Sequence, residues 1–156
     1  MEWKEELQQH TKEAEKVVQG YLPEETGHQK LLIEASNYSV LVGGKRLRPM
    51  IMLESFKAFG GTGNVVEPFM AALEMIHSGS LVHDDLPCMD NDEYRRGNLT
   101  TWKKYGYDMA VLAGDKLFIY AFETAAKAFA LTDRADLVGK AISILANKAG
   151  IYGMIG

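Results

Sequence analysis

The chain has 156 residues, 47% of them apolar, enough to bury a sizeable core and most simply arranged as one domain over residues 1–156. Its net charge of -4 argues against a nucleic-acid surface, and its one cysteine, Cys88, excludes an internal disulfide. The start is rich in charge and no run nears the ~18 apolar residues of a membrane span, which points to a cytoplasmic protein.

Trp3, Leu7, Ala14, Val17, Val18 and Tyr21 trace the apolar face of a first helix, with Lys4, Glu5, Lys12 and Glu15 opposite. Pro23, Glu24 and Glu25 predict the start of a second helix, because proline fits a first turn and acids suit its positive end. Its stripe is Leu31, Leu32, Ala35, Tyr38 and Leu41 or Val42. Gly43 and Gly44 break that helix, and Pro49 fits the first position of the next. A loop over residues 60–64 leads to a helix from about Pro68 to about Leu86, marked by Met70, Leu73, Ile76, Leu81 and Val82. Pro87 ends or bulges it, since its ring clashes with the carbonyl four residues back and its nitrogen carries no proton. Leu112, Leu117, Phe118, Ala121, Phe122, Ala125 and Phe129 predict a long buried helix reaching about Leu131. Thr132 or Asp133 then caps a last helix carrying Leu137, Val138, Ile142, Leu145 and Ala149. No strand pattern competes, so the expected architecture is all-α, a helical bundle whose polar residues point into a central cavity.

The chemistry concentrates between Glu74 and Gly97. On a helix, His77 and Asp84 lie two turns apart on one face, with Leu81 between them. The break at Pro87 is expected to turn Asp90 back toward Asp84 and Asp85. Carboxylates crowded this way repel unless a cation sits among them or solvent screens them. Oxygen donors without a thiol or an obvious histidine set select a hard ion, Mg²⁺ or Mn²⁺. Magnesium so held usually also takes phosphate oxygens, and Arg95 and Arg96 are planar donors suited to phosphate. Lys45 and Arg48 add cations beside a helix N-terminus whose free N–H groups already favour anions. Each feature has a plainer reading. The glycine-lysine stretch serves as a solvated basic turn, His77 as a satisfied structural histidine, Cys88 as a small residue in a bulge, and Asp115 as a cap or charge partner.

Taken together, Asp84-Asp85-Leu86-Pro87-Cys88-Met89-Asp90 and the arginines after it resemble the first aspartate-rich motif of the trans-isoprenyl diphosphate synthases, the polyprenyl synthetase family of farnesyl and geranylgeranyl diphosphate synthases. The form is the one with four residues between the paired and the last aspartate. Gly43-Gly44-Lys45-Arg46-Leu47-Arg48-Pro49 resembles the family's isopentenyl diphosphate site, and Asp108–Asp115 is a further stretch that resembles the family. The resemblance implies that Asp84, Asp85 and Asp90 hold magnesium, that Lys45, Arg48, His77 and Arg96 hold isopentenyl diphosphate, and that Arg95 faces the allylic diphosphate. It further implies condensation of isopentenyl diphosphate with dimethylallyl or geranyl diphosphate to farnesyl or geranylgeranyl diphosphate, with Asp84, Asp85, Asp90 and Arg95 as the catalytic set. Gly79 and Ser80, five and four residues before Asp84, match positions that floor the product tunnel, and their small size favours the longer product beside the shorter. Asn98, Leu99 and Trp102 depart from the family's usual residues. A homodimer is expected. Family members run further and carry a second aspartate-rich motif that is absent here. The chain is therefore expected to be the N-terminal part of an isoprenoid synthase bundle lacking its C-terminal helices, with little turnover alone.

Three rivals compete. An HD-type metal phosphohydrolase would use His83 and Asp84 with His77, but leaves the arginines and the basic loop without a task. A noncatalytic partner subunit of a prenyl synthase has no need of repelling carboxylates. A terpene cyclase has no use for Lys45 and Arg48.

Overall fold

The computed structural model describes residues 2–156, with side chains from Trp3 onward. The described residues form α1 (Glu2–Gly20), α2 (Lys30–Leu41), α3 (Leu47–Ala58), α4 (Glu67–Asp84), α5 (Thr101–Tyr105), α6 (Tyr107–Ala126) and α7 (Ala135–Ala149). A 3₁₀ stretch, Lys127–Leu131, follows α6. The all-α expectation holds, with one addition. Strands β1 (Tyr94–Arg95) and β2 (Asn98–Leu99) pair antiparallel, Tyr94 opposite Leu99. Their turn, Arg96-Gly97, has φ of 54° and 81°, the two successive left-handed residues that a tight two-residue hairpin requires. Strands this short carry no alternation to read. No helix among the described residues is long and apolar enough to cross a membrane.

The chain divides into two compact units. The first comprises the chain as far as Tyr21, Arg46–Leu73 and Ala121–Gly156. Its core gathers Ala14, Met50, Val66 and Met70, with Val17, Met52, Leu53 and Phe56 packed around them. Arg46 caps α3 in the left-handed region at φ 48°, a conformation that costs a non-glycine residue about 1–2 kcal/mol. Its guanidinium is only 1% exposed and meets the Glu15 carboxylate at 3.1 Å, so an ion pair to α1 holds the cap in place. Pro49 consequently falls third in α3 rather than first. In α7, Val138 and Leu145 are buried while Leu137 and Ile144 stay exposed. These residues, with Phe56, Val66 and Phe69, line an apolar cavity of about 510 Å³.

The second unit comprises Leu22–Lys45 and Glu74–Tyr120. Here α2 begins at Lys30, later than Pro23 predicts. Asn37 Nδ2 donates to the Pro23 carbonyl at 2.9 Å and to Glu25 Oε1 at 3.2 Å, which holds that segment as a loop against α2. The Tyr38 hydroxyl donates to the Leu99 carbonyl at 2.8 Å, and its ring meets Tyr105 edge-on at 5.5 Å. The Tyr105 hydroxyl donates to Glu34 at 3.1 Å, so the hairpin and α5 are both moored to α2. Within this unit α4 meets α6 at Gly79, where a Cβ would stand 3.3 Å from the Gly114 carbonyl and 3.3 Å from Leu117 Cβ.

Candidate functional site

The nominated acids lie where α4 ends. The sequence predicts a helix to about Leu86; α4 stops at Asp84, and the chain then closes on itself. The Met89 N–H donates to the Leu86 carbonyl at 2.8 Å, the Asp90 N–H to the Asp84 carbonyl at 2.8 Å, and the Asn91 N–H to the Leu86 carbonyl at 3.1 Å. Pro87 removes the donor that would continue the helix, and this knot of turns is what replaces it. Asp90 thus returns to Asp84 as expected, joined through backbone; Asp84 is half-buried and Asp90 exposed.

Asp85 behaves differently. Only 3% exposed, it accepts from Arg95 Nη2 at 2.6 Å and from Arg95 Nε at 2.9 Å, a forked pair of charge-assisted bonds. That hydrogen bond is the main reason the Arg95 pKa is raised; partial burial opposes it, and the charges of Asp85, Asp92 and Asp84 add to it. Asp85 is thus engaged by Arg95 through both carboxylate oxygens. Asp84 and Asp90 remain as oxygen donors, a set that fits a hard divalent ion retaining most of its waters.

The basic residues fall into two groups. Arg96 lies with its guanidinium over Gly44, where a Cβ would come 2.6 Å from Nη1. A side chain at position 44 would push the arginine away, so the glycine there serves a close approach. Lys45 follows immediately and is exposed. Arg48, exposed in the first turn of α3, belongs to the first unit. His77 is half-buried two turns before Asp84, and its carbonyl accepts from Ser80 Oγ at 2.8 Å. A cleft of about 20 Å³ touches Tyr38, Ser78, Asp85, Arg95 and Arg96, room for roughly one water. None of the nominated residues lines the larger apolar cavity of the first unit.

Two sequence expectations gain a partner. Asp115 stands 3.7 Å from His83 Nε2, the partner role expected of it. Gly79 faces the α6 backbone so closely that it leaves almost no room for a side chain. What sequence reading missed is the seat of His83. Its Nε2 lies 3.1 Å from the Val111 carbonyl, and its ring rests on Gly114, where any Cβ would collide with Nε2. The signal was available: an isolated glycine inside a helical pattern marks close packing.

A family model for polyprenyl synthetases matches residues 29–149. Among curated proteins, the chain is 46% identical to a chloroplastic geranylgeranyl pyrophosphate synthase of Catharanthus roseus over 125 residues, 78% of this chain and 35% of that protein. It is 44% identical to the farnesyl diphosphate synthase of Micrococcus luteus over 127 residues, 81% of this chain and 43% of that one. The chain thus spans less than half the length of these relatives. Among solved structures, an FPP/GFPP synthase from Zymomonas mobilis superposes with a TM-score of 0.89 at 34% identity, covering 98% of this chain and 55% of that one. A geranyltransferase from Legionella pneumophila gives 0.89 at 32%, covering 97% and 53%.

Proposed function

The chain belongs to the polyprenyl synthetase family, and on that premise we propose that it acts in prenyl transfer, condensing isopentenyl diphosphate with an allylic diphosphate to farnesyl or geranylgeranyl diphosphate. The observation that carries this reading is the reverse turn after α4. It sets Asp84 and Asp90 on one backbone hydrogen bond while Asp85 grips Arg95 beside them.

In this reading Asp84 and Asp90 hold Mg²⁺ or Mn²⁺, and Asp85 joins the set indirectly by aiming Arg95. The ion, when bound, supplies Lewis-acid neutralisation of diphosphate charge. Arg95, held in place by its forked bond to Asp85, offsets the charge of the allylic diphosphate as its carbon–oxygen bond breaks. Lys45, Arg48, His77 and Arg96 seat isopentenyl diphosphate, whose double bond forms the new carbon–carbon bond and then loses a proton to the departing diphosphate. The packing of Arg96 on Gly44 supports this seat by bringing the hairpin and the basic loop together. Gly79 and Ser80 are the two positions proposed to tune product length; Gly79 lies against α6 and Ser80 is less buried. Residence in the cytoplasm and assembly as a homodimer complete the proposal. Exposed apolar side chains such as Ile119 and Ile151 support self-association.

The phosphohydrolase alternative is not favoured, since the curated relatives are geranylgeranyl and farnesyl diphosphate synthases. The test suited to a chain of this length is binding. Calorimetric titration with geranyl diphosphate should show affinity only when Mg²⁺ is present, lost in Asp84→Ala and Asp90→Ala. Metal-independent affinity, or affinity unchanged in both variants, would overturn the reading.

A further inference from the structure

We infer that His83 is a positioning residue: by lying on α6 it fixes the direction in which Asp84 leaves the end of α4. The inference rests on the metal-binding reading above and adds to it a group that touches neither ion nor substrate.

Four contacts seat the ring. Nε2 is 3.1 Å from the Val111 carbonyl, which only accepts, so the imidazole carries a proton on Nε2 and donates it there. Asp115 Oδ1 lies 3.7 Å from the same nitrogen. The Phe118 ring meets the imidazole edge-on at 5.5 Å. Beneath it is Gly114, the one residue type that leaves space for the ring at that point of α6. Side chain and backbone of one helix are thereby keyed to the backbone of another.

The consequence for Asp84 follows from helix geometry. Successive residues are separated by about 100° around the axis, so a ring locked at position 83 sets the azimuth of position 84. On the far side of Asp84 the chain is held by the Asp85 N–H on the Leu81 carbonyl and by Asp85 on Arg95, so His83 is the side-chain anchor on the helix side. Last turns fray, and the Asp84 carbonyl must also stay in place to accept the Asp90 N–H at 2.8 Å. Loss of the His83 anchor would let both carboxylates wander while leaving their chemistry intact. Groups that orient metal ligands from outside the ligand set are commonly worth about 10–100-fold in affinity.

The experiment uses Mn²⁺ with inorganic diphosphate, followed by electron paramagnetic resonance, on the 156-residue chain, with a melting curve for every variant. Asp84→Ala tests the underlying reading and should abolish binding. His83→Ala should weaken Mn²⁺ affinity by about tenfold, and His83→Gln, whose amide can still donate to Val111, should recover most of it. Gly114→Ala should weaken affinity to a similar extent, because its methyl group evicts the ring. Added to His83→Ala it should have no further effect, since no ring is left to evict. That non-additivity would not arise if His83 only contributed stability, which would move melting temperature and leave affinity alone. If Asp84→Ala abolishes binding while His83→Ala and Gly114→Ala bind as the parent does, this inference fails and the metal reading stands. If Asp84→Ala binds as the parent does, or the parent leaves the free Mn²⁺ spectrum unchanged, both fail.

Discussion

Arg95 closes on Asp85 with two bonds of 2.6 and 2.9 Å to one carboxylate oxygen, and this pairing divides the labour among three acids that look alike in sequence. The buried acid holds an arginine, and in the function proposed above the two more open ones hold the ion. Removing one partner of a buried pair leaves an uncompensated charge, which costs about 3–5 kcal/mol when burial is complete. Arg95 is 29% exposed, so Asp85→Ala should cost less, roughly 1–3 kcal/mol by urea denaturation. Asp84→Ala should cost under about 1 kcal/mol yet remove Mn²⁺ binding, whereas Asp85→Ala should only weaken that binding. A reversed order in either measurement would contradict the assignment.

Gly79 sets a second expectation. Alanine there gains up to about 1 kcal/mol of helix propensity but presses a methyl group to 3.3 Å from the Gly114 carbonyl, where overpacking costs about 1–3 kcal/mol. Gly79→Ala should therefore lower the melting temperature by a few degrees. Gly79→Tyr should yield insoluble or unfolded protein instead of a folded variant with a remodelled product tunnel. A soluble Gly79→Tyr variant with parent-like stability would show that the two helices part easily.

Alkaline pH should loosen the second unit. The Tyr105 hydroxyl is pushed up to about 12, first by burial and then by its bond to Glu34. A raised pKa means that the folded state holds the proton more tightly, so the associated stability is intact below pH 10 and is lost as pH climbs toward about 12. Melting temperature should fall across that window. Tyr105→Phe should flatten part of the fall, to which Tyr38 of the same unit, raised by burial, also contributes.

Glu15 should matter to the first unit far more than a helix-surface acid ordinarily does. Its partner, the Arg46 guanidinium, is 1% exposed and sits in a left-handed residue. Glu15→Ala is expected to destabilise by about 1–3 kcal/mol, below the range for a fully buried pair, because Glu15 itself is 27% exposed and Arg46 has a further partner. Amide exchange should speed up in α1 and at the start of α3 together. Faster exchange confined to α1 would mean that the cap holds without its counter-ion.

Sequence by itself determined what depends on neighbouring residues. Apolar spacing with the proline and glycine positions yielded six of the seven α-helices of the described residues and missed only the short α5, Pro87 ended α4 within two residues of the expected point, and the turn it imposed returned Asp90 to Asp84. These outcomes follow from local backbone sterics and periodicity, which short windows contain. Tertiary structure decided the partners: Arg95 for Asp85, the α6 backbone for Gly79, Gly114 for His83, Gly44 for Arg96. It also delayed α2 to Lys30 through the bonds of Asn37, and made a hairpin from strands too short to show a period. Those choices depend on groups brought together only by folding, where a burial cost is met by whichever donor or gap lies opposite, and no local pattern records which one that is.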